Sequence, residues 1–241
     1  ILNNSLTAES YYAGLEPYPL EHCVRLLNPL SQDLSVMRQT LLFGGLESIA
    51  HNVNRRSDDL MFYEFGNVYM PTADVPLAPY SQGSRLALWI TGNISAANWN
   101  RAAIESTFYD LRAYVDTIFD RLGITQRELA ITPVTPDGIL SAGLEIVTRQ
   151  GRKIGRMGIV DTALAKRLDV KQTVFFAELD WQVLTDLAAK RHVTFTPLPK
   201  TQPVKRDLSL LLDSAVTMER VEQTVRESER RILKAVTLFD V

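Results

Sequence analysis

The side chains that could act as nucleophiles or metal ligands are few and lie far apart in this sequence. The single cysteine, Cys23, and the three histidines, His22, His51 and His192, show no zinc-binding spacing. Adjacent side chains in a strand point to opposite faces, so Cys23 and His22 do not form a local catalytic pair. The sequence therefore predicts no catalytic residue and no metal ligand.

Two other groups could in principle bind phosphate or magnesium. The segment 151–158, GRKIGRMG, is basic and rich in glycine, but it fits neither nucleotide-binding glycine pattern and lies in a β-hairpin context. The carboxylates are in a capping turn (Asp58 and Asp59) or on one helix (Asp110, Asp116 and Asp120). Such positions are typical of solvated surface, so neither group predicts a site.

Seven basic residues near the C-terminus form a candidate surface for RNA phosphates. They are Lys200, Lys205, Arg206, Arg226, Arg230, Arg231 and Lys234. Three glutamates, Glu222, Glu227 and Glu229, are interleaved with them, and Glu227 and Arg231 are four residues apart. Two interpretations stay open, an RNA-binding surface and a solvated helix face with internal salt bridges.

Overall composition limits the classes of protein to which this chain can belong. The 26 basic and 28 acidic residues give a net charge of -2, so any RNA contact must come from a local patch. No apolar run reaches the roughly 20 residues that span a bilayer, and one cysteine fits a reducing compartment. We expect a cytoplasmic protein with no membrane contact. The start at Ile1, without Met or a signal pattern, predicts an internal boundary.

Hydrophobic periodicity predicts the elements that would position these residues. Ser35 can cap a helix from Val36 to Val53 that is bent at the pair Gly44 and Gly45. Strands are predicted at 60–69, with Gly66 as a bulge or close-approach point, and at 85–91, with a loop between them. The remaining predictions are helices at 104–122, 162–168 and 180–190 and strands at 128–134, 143–149, 152–160 and 173–179. The pattern predicts an α+β fold with a mainly antiparallel sheet.

A proline-rich stretch predicts a domain boundary near Thr194. We expect a first domain at 1–193, a linker at 194–199 and a second unit at 200–241. The second unit shows a strand pattern at 208–212, a helix pattern at 218–233 and a strand pattern at 235–241. That order predicts a βαβ unit.

Several of these segments resemble the catalytic-like domain of the bacterial phenylalanyl-tRNA synthetase beta subunits. The matching strings are NPLS at 28–31, MR at 37–38, LL at 41–42, GGL at 44–46, NR at 54–55 and FYEFGNVY at 62–69. Further matches are Trp99, FYDL at 108–111, IGRMG at 154–158 and FAEL at 176–179. The tail, from PVKRDLSL at 203–210 to LFDV at 238–241, resembles the first half of a ferredoxin-like anticodon-binding module.

The resemblance implies a class II aminoacyl-tRNA synthetase-like fold without an active site. In active members, the strand that 62–69 resembles leads to an arginine that grips the ATP phosphate, whereas Met70 and Pro71 follow here. A glycine-rich segment with a second ATP-binding arginine is also missing between Val160 and Lys190. By the resemblance, charging of tRNA(Phe) with phenylalanine, ATP and Mg²⁺ belongs to an alpha subunit.

The implied role is a scaffold for that alpha subunit in an (αβ)2 heterotetramer, with no cofactor in this segment. Candidate contact residues come from the predicted helix and the strand after it: Arg38, Asn54, Arg55 and Glu64. Two alternatives belong to other classes. One is a stand-alone RNA-binding module that uses the basic C-terminal unit, and the other is a small-molecule ligase of the same fold, which the missing arginines disfavour.

Overall fold

The structure, a computed structural model, describes residues 1–72, 79–191, 195, 197–198 and 200–240. The chain divides into two compact units, Ile1–His192 and Val193–Val241. Six residues of the predicted loop between the first two long strands, 73–78, and three residues of the predicted linker, 194, 196 and 199, lie outside the described residues.

A six-stranded antiparallel sheet forms the centre of the first unit, which confirms the predicted fold class. Its strands are β3 (Leu60–Pro71), β4 (Tyr80–Thr91), β7 (Leu129–Val134), β8 (Leu140–Thr148), β9 (Lys153–Val160) and β10 (Val174–Asp180). The spatial order is β3-β4-β10-β9-β8-β7, so β3 and β7 are the edges. Two short pairs lie outside the sheet, β1 (Leu6–Thr7) with β2 (Val36–Met37) and β5 (Asn93–Ser95) with β6 (Ile104–Glu105).

Each face of the sheet carries its own hydrophobic core. One face packs against α2 (Phe108–Arg121) and α4 (Trp181–Ala189), through residues such as Leu111, Phe119 and Leu184. The opposite face is covered by the N-terminal segment, by α1 (Leu42–Val53) and by α3 (Thr162–Arg167). Because both faces are covered, the apolar runs Leu86–Ile90 of β4 and Val174–Ala177 of β10 are buried throughout.

The helix predicted from Val36 to Val53 is wrong in its first third. Val36 and Met37 pair with β1, and Arg38 donates its backbone N–H to Ser5. These tertiary hydrogen bonds outweigh the local helical pattern, so the helix begins only at Leu42. Similarly, α2 begins at Phe108 rather than 104, because Thr107 and Asp110 form a capping box there.

The glycine pair does not divide α1 into two segments, because the helix continues from Leu42 to Val53. Gly45 lies within the helix and faces Trp89, and a Cβ at this position would be 2.1 Å from Trp89 Cε2. Gly66 on β3 is the predicted close-approach point, since a Cβ there would be 2.2 Å from Arg38 Nη2. Both glycines therefore make room for a large neighbouring side chain rather than for an unusual backbone angle.

In the second unit the described residues form one helix and no strand. Helix α5 spans Met218–Ser228, capped by the Thr217 hydroxyl, while the predicted strands at 208–212 and 235–241 are not formed within 200–240. A strand needs a hydrogen-bonded partner, and neither segment is paired here. The helix also ends before 233, because the Glu229 carboxylate accepts the N–H groups of Arg231 and Ile232.

Candidate functional site

A row of charged side chains crosses the sheet face that lies under α1 and the N-terminal segment. Glu64 on β3, Glu178 on β10 and Arg156 on β9 occupy matching register positions, with Ala87 of β4 between the two glutamates. All three charged residues are buried. We call these three residues the polar row. Because unpaired buried charge is costly, each member must be satisfied by something packed against this face.

Glu178 is satisfied by the segment that leads into α1 and by a tyrosine near the N-terminus. Its carboxylate accepts hydrogen bonds from the Leu41 backbone N–H at 2.7 Å and from the Thr40 hydroxyl at 3.0 Å. The Tyr18 hydroxyl donates to it at 3.0 Å. Leu41 is the N-cap of α1, so the carboxylate also lies where the helix dipole favours negative charge.

Glu64 forms a buried ion pair with Arg38. Arg38 Nη1 lies 2.8 Å from Glu64 Oε1, and the two side chains are 6% and 0% exposed. The second oxygen of Glu64 accepts a hydrogen bond from Asn3 Nδ2 at 2.7 Å, and Arg38 Nε donates to the Asn67 carbonyl at 2.8 Å. The pair thus joins the N-terminus, the segment before α1 and the edge strand β3.

Arg156 completes the polar row with an aromatic neighbour and a carboxylate. Its Nη1 contacts Asp137 Oδ2 at 2.5 Å, and its guanidinium lies 5.2 Å from the centre of the Tyr18 ring. Its Nη2 is buried without a hydrogen-bond partner in the described part of the chain. Asp137 in turn caps the start of β8 by accepting the N–H groups of Ile139 and Leu140.

These contacts mean that the chain itself fills this sheet face. A nucleotide or a magnesium ion would need the carboxylates of the polar row, or Arg156, to be free, whereas residues 3, 18, 38, 40, 41 and 137 already bind them. The residues present therefore do not fit ATP or Mg²⁺, and the arrangement supports packing rather than chemistry.

Because Tyr18 is buried beside Glu178, the free energy of unfolding is expected to depend on pH in the alkaline range. Loss of solvation, and then the Glu178 charge, raise the pKa of Tyr18 to about 12. A raised pKa in the folded state stabilises the protein below the unfolded pKa of about 10, and this contribution is lost as the pH rises from about 10 to about 12. We expect urea unfolding to show this loss of stability. The buried Tyr12 contributes part of it, because burial also raises the pKa of Tyr12.

The variant Tyr18→Phe isolates the contribution of Tyr18. It is expected to lower the free energy of unfolding by about 1 kcal/mol at neutral pH, since Glu178 loses one donor, and to flatten the decline above pH 10. Tyr109→Phe serves as the control, because Tyr109 is exposed. An unchanged decline in Tyr18→Phe would contradict this assignment.

The four predicted contact residues have different environments. Arg38 and Glu64 are brought together but buried, so they do not present a surface to a partner. Asn54 and Arg55 are exposed at the C-terminal end of α1, where Asn54 Nδ2 donates to Asp169 and Arg55 Nη1 donates to the His51 carbonyl. Only this second pair is accessible from outside.

The seven predicted RNA-binding residues lie in the second unit. Arg226 is half-buried and pairs with Glu222 at 2.5 Å, as the salt-bridged interpretation of the helix requires. The other six are exposed. The predicted pairing of Glu227 with Arg231 does not form among the described residues, because α5 ends at Ser228.

The cysteine and the histidines do not form a catalytic group among the described residues. The Cys23 thiol is buried and accepts a hydrogen bond from Gln39 Nε2, and burial raises its pKa. His22 and His51 lie in separate helices, and His192 is outside the described residues. In the part of the chain that the structure describes, no group of three or more potential ligands is placed to hold a metal ion. No helix there is long and apolar enough to cross a membrane.

An apolar strip along β3 was not predicted from the sequence. Met61, Tyr63 and Phe65 point away from the polar row and are 52%, 61% and 48% exposed. Tyr114 of α2 reaches Met61 at 3.6 Å, and the ring of Trp181 on α4 lies 4.8 Å from that of Phe65. We call these five residues the β3 ledge. The sequence signal that could have revealed it is the large apolar side chains at alternate positions 61, 63 and 65, on the strand face opposite to Glu64.

Comparison with protein families supports the resemblance noted in the sequence. Residues 1–181 match the family described as the phenylalanyl-tRNA synthetase beta chain CLM domain. A phenylalanine–tRNA ligase beta subunit from Bacteroides fragilis is 45% identical over the whole chain, and those from Bacteroides thetaiotaomicron and Porphyromonas gingivalis are 44% and 41% identical. The chain spans about 30% of the length of these relatives.

Solved structures support the fold alone. Two structures of a pyrrolysyl-tRNA synthetase from Desulfitobacterium hafniense superpose with TM-scores of 0.55 and 0.56 at 12% and 11% identity. The match covers 78% of this chain and 62% of each of those chains. The antiparallel sheet with its helices is therefore the architecture of a class II aminoacyl-tRNA synthetase, as expected.

Proposed function

The chain belongs to the phenylalanyl-tRNA synthetase beta chain family, and from this we propose that it is a non-catalytic segment of a phenylalanine–tRNA ligase that supports the alpha subunit. The observation that carries the proposal is the filled sheet face. Glu178, the most central carboxylate of the polar row, is bound by Tyr18, Thr40 and Leu41 of the same chain. A face so occupied serves to hold the fold together rather than to bind substrate.

The proposal assigns the chemistry to the whole enzyme. The alpha subunit would charge tRNA(Phe) with phenylalanine using ATP and Mg²⁺ in the cytoplasm, within an (αβ)2 heterotetramer. Residues 1–193 would be the pseudo-catalytic domain, 194–199 a linker and 200–241 the first half of an anticodon-binding module. The matched relatives are all ligase subunits, so they lend no support to a stand-alone RNA-binding protein.

We assign contact with the alpha subunit to the β3 ledge. Its three β3 side chains are each about half exposed and form a continuous apolar surface with Tyr114 and Trp181 at an edge of the sheet. Apolar patches of this kind on folded proteins commonly mark interfaces, and large aromatics are enriched in their centres. Asn54 and Arg55 remain accessible candidates, whereas Arg38 and Glu64 would act only by positioning β3.

The double variant Tyr63→Ser, Phe65→Ser tests this assignment. We expect the beta chain to form a stable complex with the alpha subunit at low micromolar concentration, and the double variant to bind about 30-fold more weakly or worse, since loss of two central aromatics costs about 2 kcal/mol or more. The solution mass of the mixture and a titration by sedimentation velocity provide the measurement.

The matched control is Trp99→Ser, Tyr109→Ser. These aromatics are 95% and 80% exposed, and neither belongs to the β3 ledge. The control is expected to bind the alpha subunit as the unmodified chain does. Equal loss in both double variants would argue against the ledge, and no complex between two folded unmodified proteins would overturn the proposed function.

A further inference from the structure

Six basic side chains lie around the turn that joins β8 to β9, at one end of the sheet. They come from the 3-10 turn Gln126–Glu128, from the β8–β9 hairpin and from the C-terminal end of α4. All six are exposed. They are Arg127, Arg149, Arg152, Lys153, Lys190 and Arg191, and we call them the basic end.

Hydrogen bonds and ion pairs hold these elements together. Arg149 donates its Nε to the carbonyl of Arg127, and its backbone N–H to the carbonyl of Glu128 at 2.9 Å. The Glu128 carboxylate pairs with Arg191 of the α4 end. A tight turn at Gly151, with φ +82°, places Arg152 opposite Thr148, whose backbone N–H donates to the Arg152 carbonyl at 2.8 Å. The basic end is thus one surface rather than three separate groups.

The cations of the basic end outnumber the carboxylates that they contact. Three are paired, Arg191 with Glu128, Arg152 with Asp186 at 2.8 Å and Lys153 with Glu145 at 2.6 Å. The other three, Arg127, Arg149 and Lys190, form no ion pair within the described residues. The surface therefore carries three more cations than the carboxylates that form its ion pairs, in a chain whose net charge is -2.

We propose that the basic end binds the phosphate backbone of RNA, and in the proposed function this RNA is the tRNA. Guanidinium groups fit phosphate oxygens through paired N–H donors, and flexible basic side chains on several elements can follow a charged backbone. Arg152 and Lys153, from the basic segment at 151–158 noted in the sequence, belong to this surface, whereas Arg156 is buried in the polar row. The segment forms one side of a hairpin and not a nucleotide loop.

The surroundings favour nucleic acid over an acidic protein as the partner. Protein interfaces have an apolar, often aromatic centre, whereas nucleic acid interfaces are polar and positively charged. Among the described residues, none of the exposed large hydrophobic side chains lies between 115 and 191. The basic end therefore has charge without the apolar centre that the β3 ledge provides elsewhere.

The test uses the full-length ligase and the triple variant Arg127→Gln, Arg149→Gln, Lys190→Gln. These three cations form no ion pair, so the substitutions leave the salt bridges of the surface in place. Arg149→Gln also removes the hydrogen bond from Arg149 Nε to the Arg127 carbonyl, so urea unfolding of the triple variant is measured beside binding. The control, Arg56→Gln, Lys166→Gln, Lys171→Gln, removes three exposed and equally unpaired cations from another part of the surface. Fluorescence anisotropy of labelled tRNA(Phe) at several salt concentrations gives the affinity and its salt dependence.

We expect the triple variant to bind tRNA about tenfold more weakly, and its plot of log affinity against log salt to be shallower by about two. A noncognate tRNA should lose as much, because phosphate contacts carry no sequence information. The control should change by less than about twofold. Since this inference rests on the proposed function, assembly with the alpha subunit is measured on the same preparations.

Two results would overturn the inference. In the first, the triple variant binds tRNA as the control does while assembly stays intact, so that the proposed function survives without it. In the second, the triple variant weakens assembly but not tRNA binding, and the basic end is then a protein contact. Failure of the unmodified chains to assemble would instead count against the proposed function, and tRNA binding by the beta chain alone would still test the basic end.

Discussion

Glu64→Leu is expected to lower the free energy of unfolding of the 241-residue chain by about 3–5 kcal/mol. The substitution removes one partner of a buried ion pair, and Arg38, which is 6% exposed, would keep its charge without a carboxylate. The remaining acceptors of Arg38 are backbone carbonyls such as that of Asn67, which satisfy hydrogen bonds but not the charge. Urea unfolding followed by circular dichroism measures the change.

The double variant Arg38→Met, Glu64→Leu distinguishes the energy of the ion pair from the cost of burying the two charges. Replacing both charges removes the desolvation cost of each, so we expect it to regain about half or more of the stability that Glu64→Leu loses. The control pair is Lys153 and Glu145, whose side chains are 64% and 39% exposed. Glu145→Leu should cost less than about 1 kcal/mol. If Glu64→Leu costs no more than this, the buried pair does not hold the N-terminus on β3.

The sheet could be predicted because its signal is local. In β4, alternating side chains predicted a strand at 85–91, and the structure forms it as Tyr80–Thr91, which begins five residues earlier, within the predicted loop. The hairpin between β8 and β9 was predictable from Gln150 and Gly151 alone, because a positive φ at Gly151 is what glycine permits. Antiparallel pairing then follows from short connections.

The polar row could not be predicted because its contacts are not local. Glu178 binds Leu41, 137 positions away, and no property of either residue in the sequence indicates the other. The only local sign was a glutamate inside the apolar run Phe176–Leu179, which in a covered strand must find a donor. The same reason explains the wrong start of α1, since Arg38 and Thr40 serve buried carboxylates instead of a helix.

In the second unit the local patterns were clear, but the predicted strands do not form among the described residues. Its strand patterns were legible, yet the described residues hold only α5, with Leu208, Leu211 and Phe239 exposed. Periodicity identifies what a segment can become, whereas a strand forms only when another strand pairs with it and a core covers its apolar side. The predicted RNA-binding residues of this unit therefore stay a prediction.

Glu178→Gln is expected to cost about 3 kcal/mol, although it preserves the shape of the side chain. Three donors, from Tyr18, Thr40 and Leu41, converge on the carboxylate, and an amide can accept at only one of its two ends. A buried donor left unsatisfied and a lost charge beside Arg156 both lower stability. Urea unfolding measures the total, with Glu145→Gln as a partly exposed control expected to change stability by about 0.5 kcal/mol or less.

Amide exchange in the same variant tests whether Glu178 specifically anchors the start of α1. The Leu41 N–H donates to this carboxylate, so its exchange should accelerate by more than global destabilisation explains, whereas that of Leu111, in the α2 core on the other face, should follow the global change. Equal acceleration at both sites would mean that Glu178 stabilises the sheet as a whole and does not position α1. Selective acceleration would show that a carboxylate on β10 fixes the helix leading to the β3 ledge, which links the filled face to the surface proposed for the alpha subunit.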